Sequence, residues 1–192
     1  MIRIGIIGGI GSGKSHISNL FNFPVFNADS EVAELYNKNF NIFKEIKKKI
    51  PKHISTFPIQ KKEISNAIIS NKSNLKKIIK IVHPEIQKKL KLFLIRNKKS
   101  EIIILDIPLL LENKINKKND IIVFIKANKK KVYERLKKRA NFNPSLIKRF
   151  KEIQLSLEYK SKRSNFVIKN NFNHKLAQKN VKNIVKEILK NA

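Results

Sequence analysis

The chain has 192 residues, enough for one α/β domain with small insertions and a real apolar core. Cysteine is absent, which excludes disulfides and thiolate metal sites and suits a reducing cytoplasm. The formal charge of +29 invites a nucleic-acid reading, but lysine outnumbers arginine 37 to 6 and is spread along the whole chain; the competing reading is a solvated basic surface with no specific nucleic-acid partner.

An apolar run at 2–7 predicts the first strand, and a helix is predicted over 14–22. All five glycines lie between positions 5 and 13, and Gly8 to Ser15 reads G-x-x-x-x-G-K-S, the phosphate-binding loop, in the strand–loop–helix setting that it requires. Residues without Cβ let backbone N–H groups turn inward around phosphate oxygens, and the following helix adds free N–H groups and its positive dipole end. Lys14 is placed to reach the β and γ phosphates, and the Ser15 hydroxyl to ligate Mg²⁺. The opening segment reads as a strand rather than a leader peptide. No apolar run approaches membrane-spanning length, so no membrane association is expected.

A short strand at 25–26 leads into Asp29. A long helical stretch follows from about 29 to 98, with helix-period apolar residues Val32, Leu35, Tyr36, Ile42, Phe43, Ile46 and Ile50. Pro51 and Pro58 break it. Helices resume at 60–70 and 73–81, and again from Pro84, at a first-turn position, to Arg96. Within this stretch His83, on its own, reads as a helix-start residue ahead of a ligand. Strands follow at 102–105 and 121–125, helices at 128–139 and 144–160, a last strand at 166–168 and a closing helix at 174–190. The fold class is therefore α/β: a parallel five-stranded sheet of the P-loop NTPase type flanked by helices, with a helical insertion after the second strand and a lid.

Only three aspartates stand against the lysine background. Asp29 and Asp106 each follow an apolar run, so parallel strands bring both to the carboxyl edge of the sheet, where the phosphate loop also emerges. One such carboxylate can deprotonate an attacking hydroxyl and the other can hold Mg²⁺ or its waters; a helix N-cap is the alternative for each. Asp120 precedes its strand and belongs to the opposite edge, as a turn or helix boundary. Four of the six arginines fall in 128–163. Arg135 and Arg139, at i and i+4 on a predicted helix, either fold over a transferring phosphoryl group or belong to a solvated basic face. Asn141-Phe142-Asn143 and Pro144 suggest a hinge for a lid.

Together these residues resemble the dephospho-CoA kinase family from Met1 to about Asn171. The resemblance rests on the loop, on Val25-Phe26-Asn27-Ala28-Asp29, on Val82-His83-Pro84 and on Leu105-Asp106-Ile107-Pro108-Leu109-Leu110-Leu111-Glu112. Arg135, Arg139, Gln154, Lys160 and Phe166-Val167-Ile168 complete it. It implies transfer of the ATP γ-phosphate to the ribose 3′-hydroxyl of dephospho-CoA, the last step of coenzyme A synthesis, with Mg²⁺ and in the cytoplasm. Implied catalytic residues are Asp29 as general base, Lys14, Arg135 and Arg139. Implied ATP contacts are Gly8, Gly9, Gly11, Ser12, Gly13, Lys14, Ser15, His16 and Asn170; implied metal-site residues are Ser15 and Asp106. Asp29, His83, Pro108, Leu109 and Glu112 are implied on the acceptor side. The implied parts are a nucleotide core at 1–28, 101–127 and 165–192, a CoA-binding insertion at 29–100 and a lid at 128–164, in a monomer or weak homo-oligomer. The chain departs from the family pattern at Asn27, Ala33, Ser161, Asn165 and Lys169. Alternatives are another small-molecule or nucleoside (monophosphate) kinase of this fold, or an NTPase stimulated by nucleic acid.

Overall fold

Five strands pair in parallel in the order β2-β3-β1-β4-β5, in a computed structural model that describes residues 1–140 and 142–190. They are β1 (Ile2–Gly8), β2 (Val25–Asn27), β3 (Ile102–Asp106), β4 (Ile121–Ala127) and β5 (Phe166–Asn170). Register pairs Ile4 with both Ile104 and Ile121, and Asn27 with Asp106. The runs of β1, β3 and β4 are apolar without alternation because both sheet faces are covered, as parallel sheets require. Helix α1 (Lys14–Leu20) and helix α9 (His174–Lys190) close one face. Ala177, Val181, Ile184 and Ile188 of α9 form one helical stripe, packed in a cluster with Ile17, Ile104 and Val123. Burying each Val or Ile of that stripe contributes about 1.5–3 kcal/mol.

Backbone contacts divide the chain into two units. The sheet unit comprises Met1–Asn27, Asn97–Phe142 and the chain from Gln154 on. It also holds α6 (Lys129–Lys137) and α8 (Leu157–Lys162). At the amino edge of its sheet Asp120 accepts the Lys117 N–H and pairs with Arg3 at 3.0 Å, both side chains buried. Asp120 is thus a buried ion-pair partner as well as a turn residue. Burial pushes its carboxyl above the ordinary range, against the opposing pull of the Lys117 N–H and Arg3.

The second unit is helical: α2 (Ala28–Lys38), α3 (Phe40–Lys49), α4 (Lys61–Ser70), α5 (Lys72–Arg96) and α7 (Pro144–Glu152). α5 is packed by α2, α3 and α4, and α7 lies against α4. Lys89 of α5 bridges Glu31 at 2.8 Å and Glu34 at 2.6 Å, both on α2. That double contact, with Lys38 beside it, holds the Glu34 carboxyl down at about 2. Among the described residues no helix is long and apolar enough to cross a membrane.

Three predicted boundaries differ from the structure. Helix α5 runs unbroken through Pro84. A proline inside a helix costs about 3 kcal/mol, but Leu75, Ile78, Val82, Ile86 and Leu90 form a single buried stripe across it, and that burial outweighs the lost hydrogen bond. The predicted helix over 144–160 is two helices, because Ser156 turns out of helical geometry and its hydroxyl accepts the Tyr159 N–H to cap α8. Helix α6 stops at Lys137, so Arg139 lies in the turn beyond it rather than one helical turn above Arg135. Asn141, part of the predicted hinge, lies outside the described residues.

Candidate active site

β1 lies between β3 and β4, so the loop at its carboxyl end emerges at the centre of the sheet. Two glycines there have no substitute. A Cβ on Gly8 would stand 2.8 Å from the Ile125 carbonyl oxygen of β4. Gly13, the residue before α1, has φ 92, and its Cβ would meet the Asn170 amide nitrogen at 2.5 Å. That amide donates to the Ser12 carbonyl at 2.9 Å, while its oxygen accepts the Phe172 N–H at 2.9 Å. Buried Asn170 therefore braces the loop from β5.

The Lys14 ammonium folds back over the loop onto the carbonyls of Gly9, at 2.9 Å, and Gly8, at 3.3 Å. A phosphate in the loop would compete with these carbonyls for the same cation. The Ser12 hydroxyl is buried against Gly8 with no hydrogen-bond partner among the described residues, a donor without an acceptor there. Ser15 and His16 are exposed on the first turn of α1, where backbone N–H groups have no partner within the helix. The His16 ring sits 5.3 Å from that of His174 at the start of α9. Gly9 faces Leu157 of α8, and Gly11 faces Leu136 of α6.

Asp106 ends β3, next to β1, and is buried; the Asn27 amide donates to its Oδ2 at 2.7 Å. An acid at position 27 would set two carboxylates against each other there, and the amide supplies a donor instead. The stretch after β3 turns through half-buried Pro108 and Leu109 to Glu112. The Glu112 carboxylate points to Lys160, 2.7 Å away with only 1 % of the lysine side chain exposed, and accepts the Leu155 N–H at 3.0 Å. It thus ties this stretch to the start of α8.

Arg135 is exposed near the end of α6, its guanidinium carbon 4.4 Å from the centre of the Phe172 ring. Arg139 is exposed in the following turn. In the helical unit, Asp29 is exposed in the first turn of α2, two residues past β2. His83 is mid-helix in α5, its Nε2 buried without a hydrogen-bond partner among the described residues. The structure thus brings Gly8, Gly9, Gly11, Ser12, Gly13, Lys14, Asn170 and Arg135 into one connected set through Phe172 and the loop. Phe172 and His174 were missed by sequence reasoning; their only signal was position, just after the last strand.

Among the described residues no three His, Cys, Asp or Glu side chains gather as a metal cage. The two residues expected at a metal, Ser15 and Asp106, carry oxygen donors, a hydroxyl and a carboxylate. That set fits Mg²⁺, which takes one or two protein ligands and completes its shell with phosphates and water.

A family model described as Dephospho-CoA kinase matches residues 2–175. The dephospho-CoA kinase of Wolbachia pipientis wMel is 33% identical over 95% of both chains. A crystal structure from Thermus thermophilus superposes with a TM-score of 0.80 at 25% identity, covering 98% of this chain and 97% of that one. The dephospho-CoA kinase from Campylobacter jejuni shares the fold, with a TM-score of 0.64 at 21% identity over 97% and 96% of the two chains. With the phosphate loop at the centre of a parallel sheet, the chain is an ATP-dependent P-loop kinase and belongs to the dephospho-CoA kinase family.

Proposed function

We propose that the chain transfers the γ-phosphoryl group of ATP to the ribose 3′-hydroxyl of dephospho-CoA, giving CoA and ADP in the cytoplasm. The observation that carries this is the braced loop, with Lys14 and the unpartnered Ser12 hydroxyl at the end of β1, in a chain matched from 2 to 175 by the family model. The loop amides and Lys14 hold the β and γ phosphates. Ser15 and Asp106 would hold Mg²⁺, which when bound would neutralise phosphate charge. Asp29 accepts a hydrogen bond from the 3′-hydroxyl and takes its proton as oxygen attacks the γ-phosphorus; the bond to the β–γ bridging oxygen breaks and ADP leaves. Arg135 and Arg139 stabilise the charge spread over the transferring group. Most of the rate enhancement comes from positioning and charge, with proton removal worth about 10²–10⁴-fold.

The acceptor is taken by the insertion at 29–100, with His83, Pro108, Leu109 and Asp29 on its side. We assign Glu112 to positioning through Lys160. The lid at 128–164 excludes water. The working species is a monomer or weak homo-oligomer. A coupled ADP-release assay with dephospho-CoA, AMP, CMP and nucleosides tests the reading. It predicts turnover with dephospho-CoA far above the others, and equal or greater turnover with a nucleoside monophosphate would overturn it.

A further inference from the structure

Phe172 has φ 66, in the left-handed region that a bulky side chain rarely occupies. Core packing does not account for it, because the residue is only half-buried. Glycine or asparagine would suit the backbone better. The conformation is held locally: the Asn170 side chain accepts the Phe172 N–H and donates to the Ser12 carbonyl, which locks the turn to the phosphate loop. The left-handed bend carries the ring over the start of α1. Its Cε1 lies 3.7 Å from where a Gly13 Cβ would stand, and its face lies under the Arg135 guanidinium at 4.4 Å. The two residues come from different elements, α6 and the turn after β5, and the ring is their meeting point beside the loop.

An exposed arginine near a helix end samples many rotamers, and binding must order it. A ring face beneath the guanidinium orders it beforehand. From this geometry we infer that Phe172 is a positioning residue that holds Arg135 over the nucleotide site and so sets the affinity for ATP. The inference rests on the proposed function in so far as Arg135 meets the nucleotide. His174, two residues on, meets His16 at 3.4 Å and gives the same turn a second contact with α1.

The test uses the full chain with Phe172→Leu, Phe172→Gly, Phe172→Trp, Arg135→Ala and the double variant Phe172→Leu/Arg135→Ala. Readouts are thermal unfolding, ATP affinity by displacement of a fluorescent nucleotide, and kcat and KM for both substrates. Phe172→Leu keeps the left-handed turn and removes the π face, so ATP affinity should fall about 2- to 30-fold with the dephospho-CoA KM unchanged. Phe172→Trp should stay close to the parent. Phe172→Gly should show the same ATP loss while unfolding no lower than the parent, since glycine relieves the turn. In the Arg135→Ala background the Leu substitution should cost nothing further. Unchanged ATP affinity in the Leu and Gly variants, or losses that simply add to that of Arg135→Ala, would overturn the inference. Because nucleotide affinity is read directly, a parent chain that fails to phosphorylate dephospho-CoA would sink the proposed function while leaving this coupling measurable.

Discussion

Replacing Lys160 by Met removes the ammonium that compensates Glu112. The lysine side chain is 1% exposed and its partner 8%, and Nζ lies 2.7 Å from the carboxylate as an ion pair, with no hydrogen bond of good geometry to any described residue. The variant leaves a carboxylate in the same enclosure, with the Leu155 N–H still donating to it. Stranding one member of a buried pair costs about 3–5 kcal/mol. For a chain of this size that lowers the unfolding midpoint by roughly 6–20 °C. Circular dichroism at 222 nm during heating and in urea reads the loss, and the urea slope should stay unchanged. Replacing both partners, Lys160→Met with Glu112→Leu, removes the stranded charge and should recover most of the loss. A single variant as stable as the parent, or a double variant no better than the single, would refute the view that this pair is buried and coupled.

Asp29→Asn should lower kcat by about 10²–10⁴-fold while ATP affinity, measured by fluorescent-nucleotide displacement, stays near that of the parent. Gly13→Ala should abolish measurable nucleotide binding, because its Cβ would meet Asn170 at a φ of 92; calorimetric titration with ATP reads this directly. The Glu34 carboxyl, held at about 2 by Lys89, sits below its ordinary value. A lowered carboxyl stabilises the fold fully above its unfolded pKa of about 4.3 and loses that contribution as pH falls toward 2. Glu34→Gln should therefore flatten the acid limb of stability between those values, with a smaller difference in high salt since the pair is only part-buried. An acid limb identical to the parent's would remove Glu34 from it.

The phosphate loop was legible because glycine is otherwise absent from the chain, so the cluster stood out, and its apolar lead-in marked β1. Parallel pairing is legible because helices separate the strands, whereas their order comes only from the structure; Asp106 reads as the end of β3 because a fully apolar run precedes it. Pro84 misled because the breaker rule is local, whereas the stripe from Leu75 to Leu90 that overrides it is a tertiary effect. Arg139 reads as helical from sequence because periodicity shows faces but not where α6 stops. Lys160 carried no local signal, being one lysine of 37, and came to notice only through family resemblance. Phe172 was invisible because a left-handed turn is ordinarily announced by glycine or asparagine, and here phenylalanine occupies it.

The most direct measurement is of the product itself: the purified chain, ATP, Mg²⁺ and dephospho-CoA, with the nucleotide products separated and the new phosphate located by NMR. The predicted result is stoichiometric ADP and CoA phosphorylated at the ribose 3′ position, dependent on both ATP and acceptor. Unaltered dephospho-CoA beside a chain that demonstrably binds ATP would contradict the assignment.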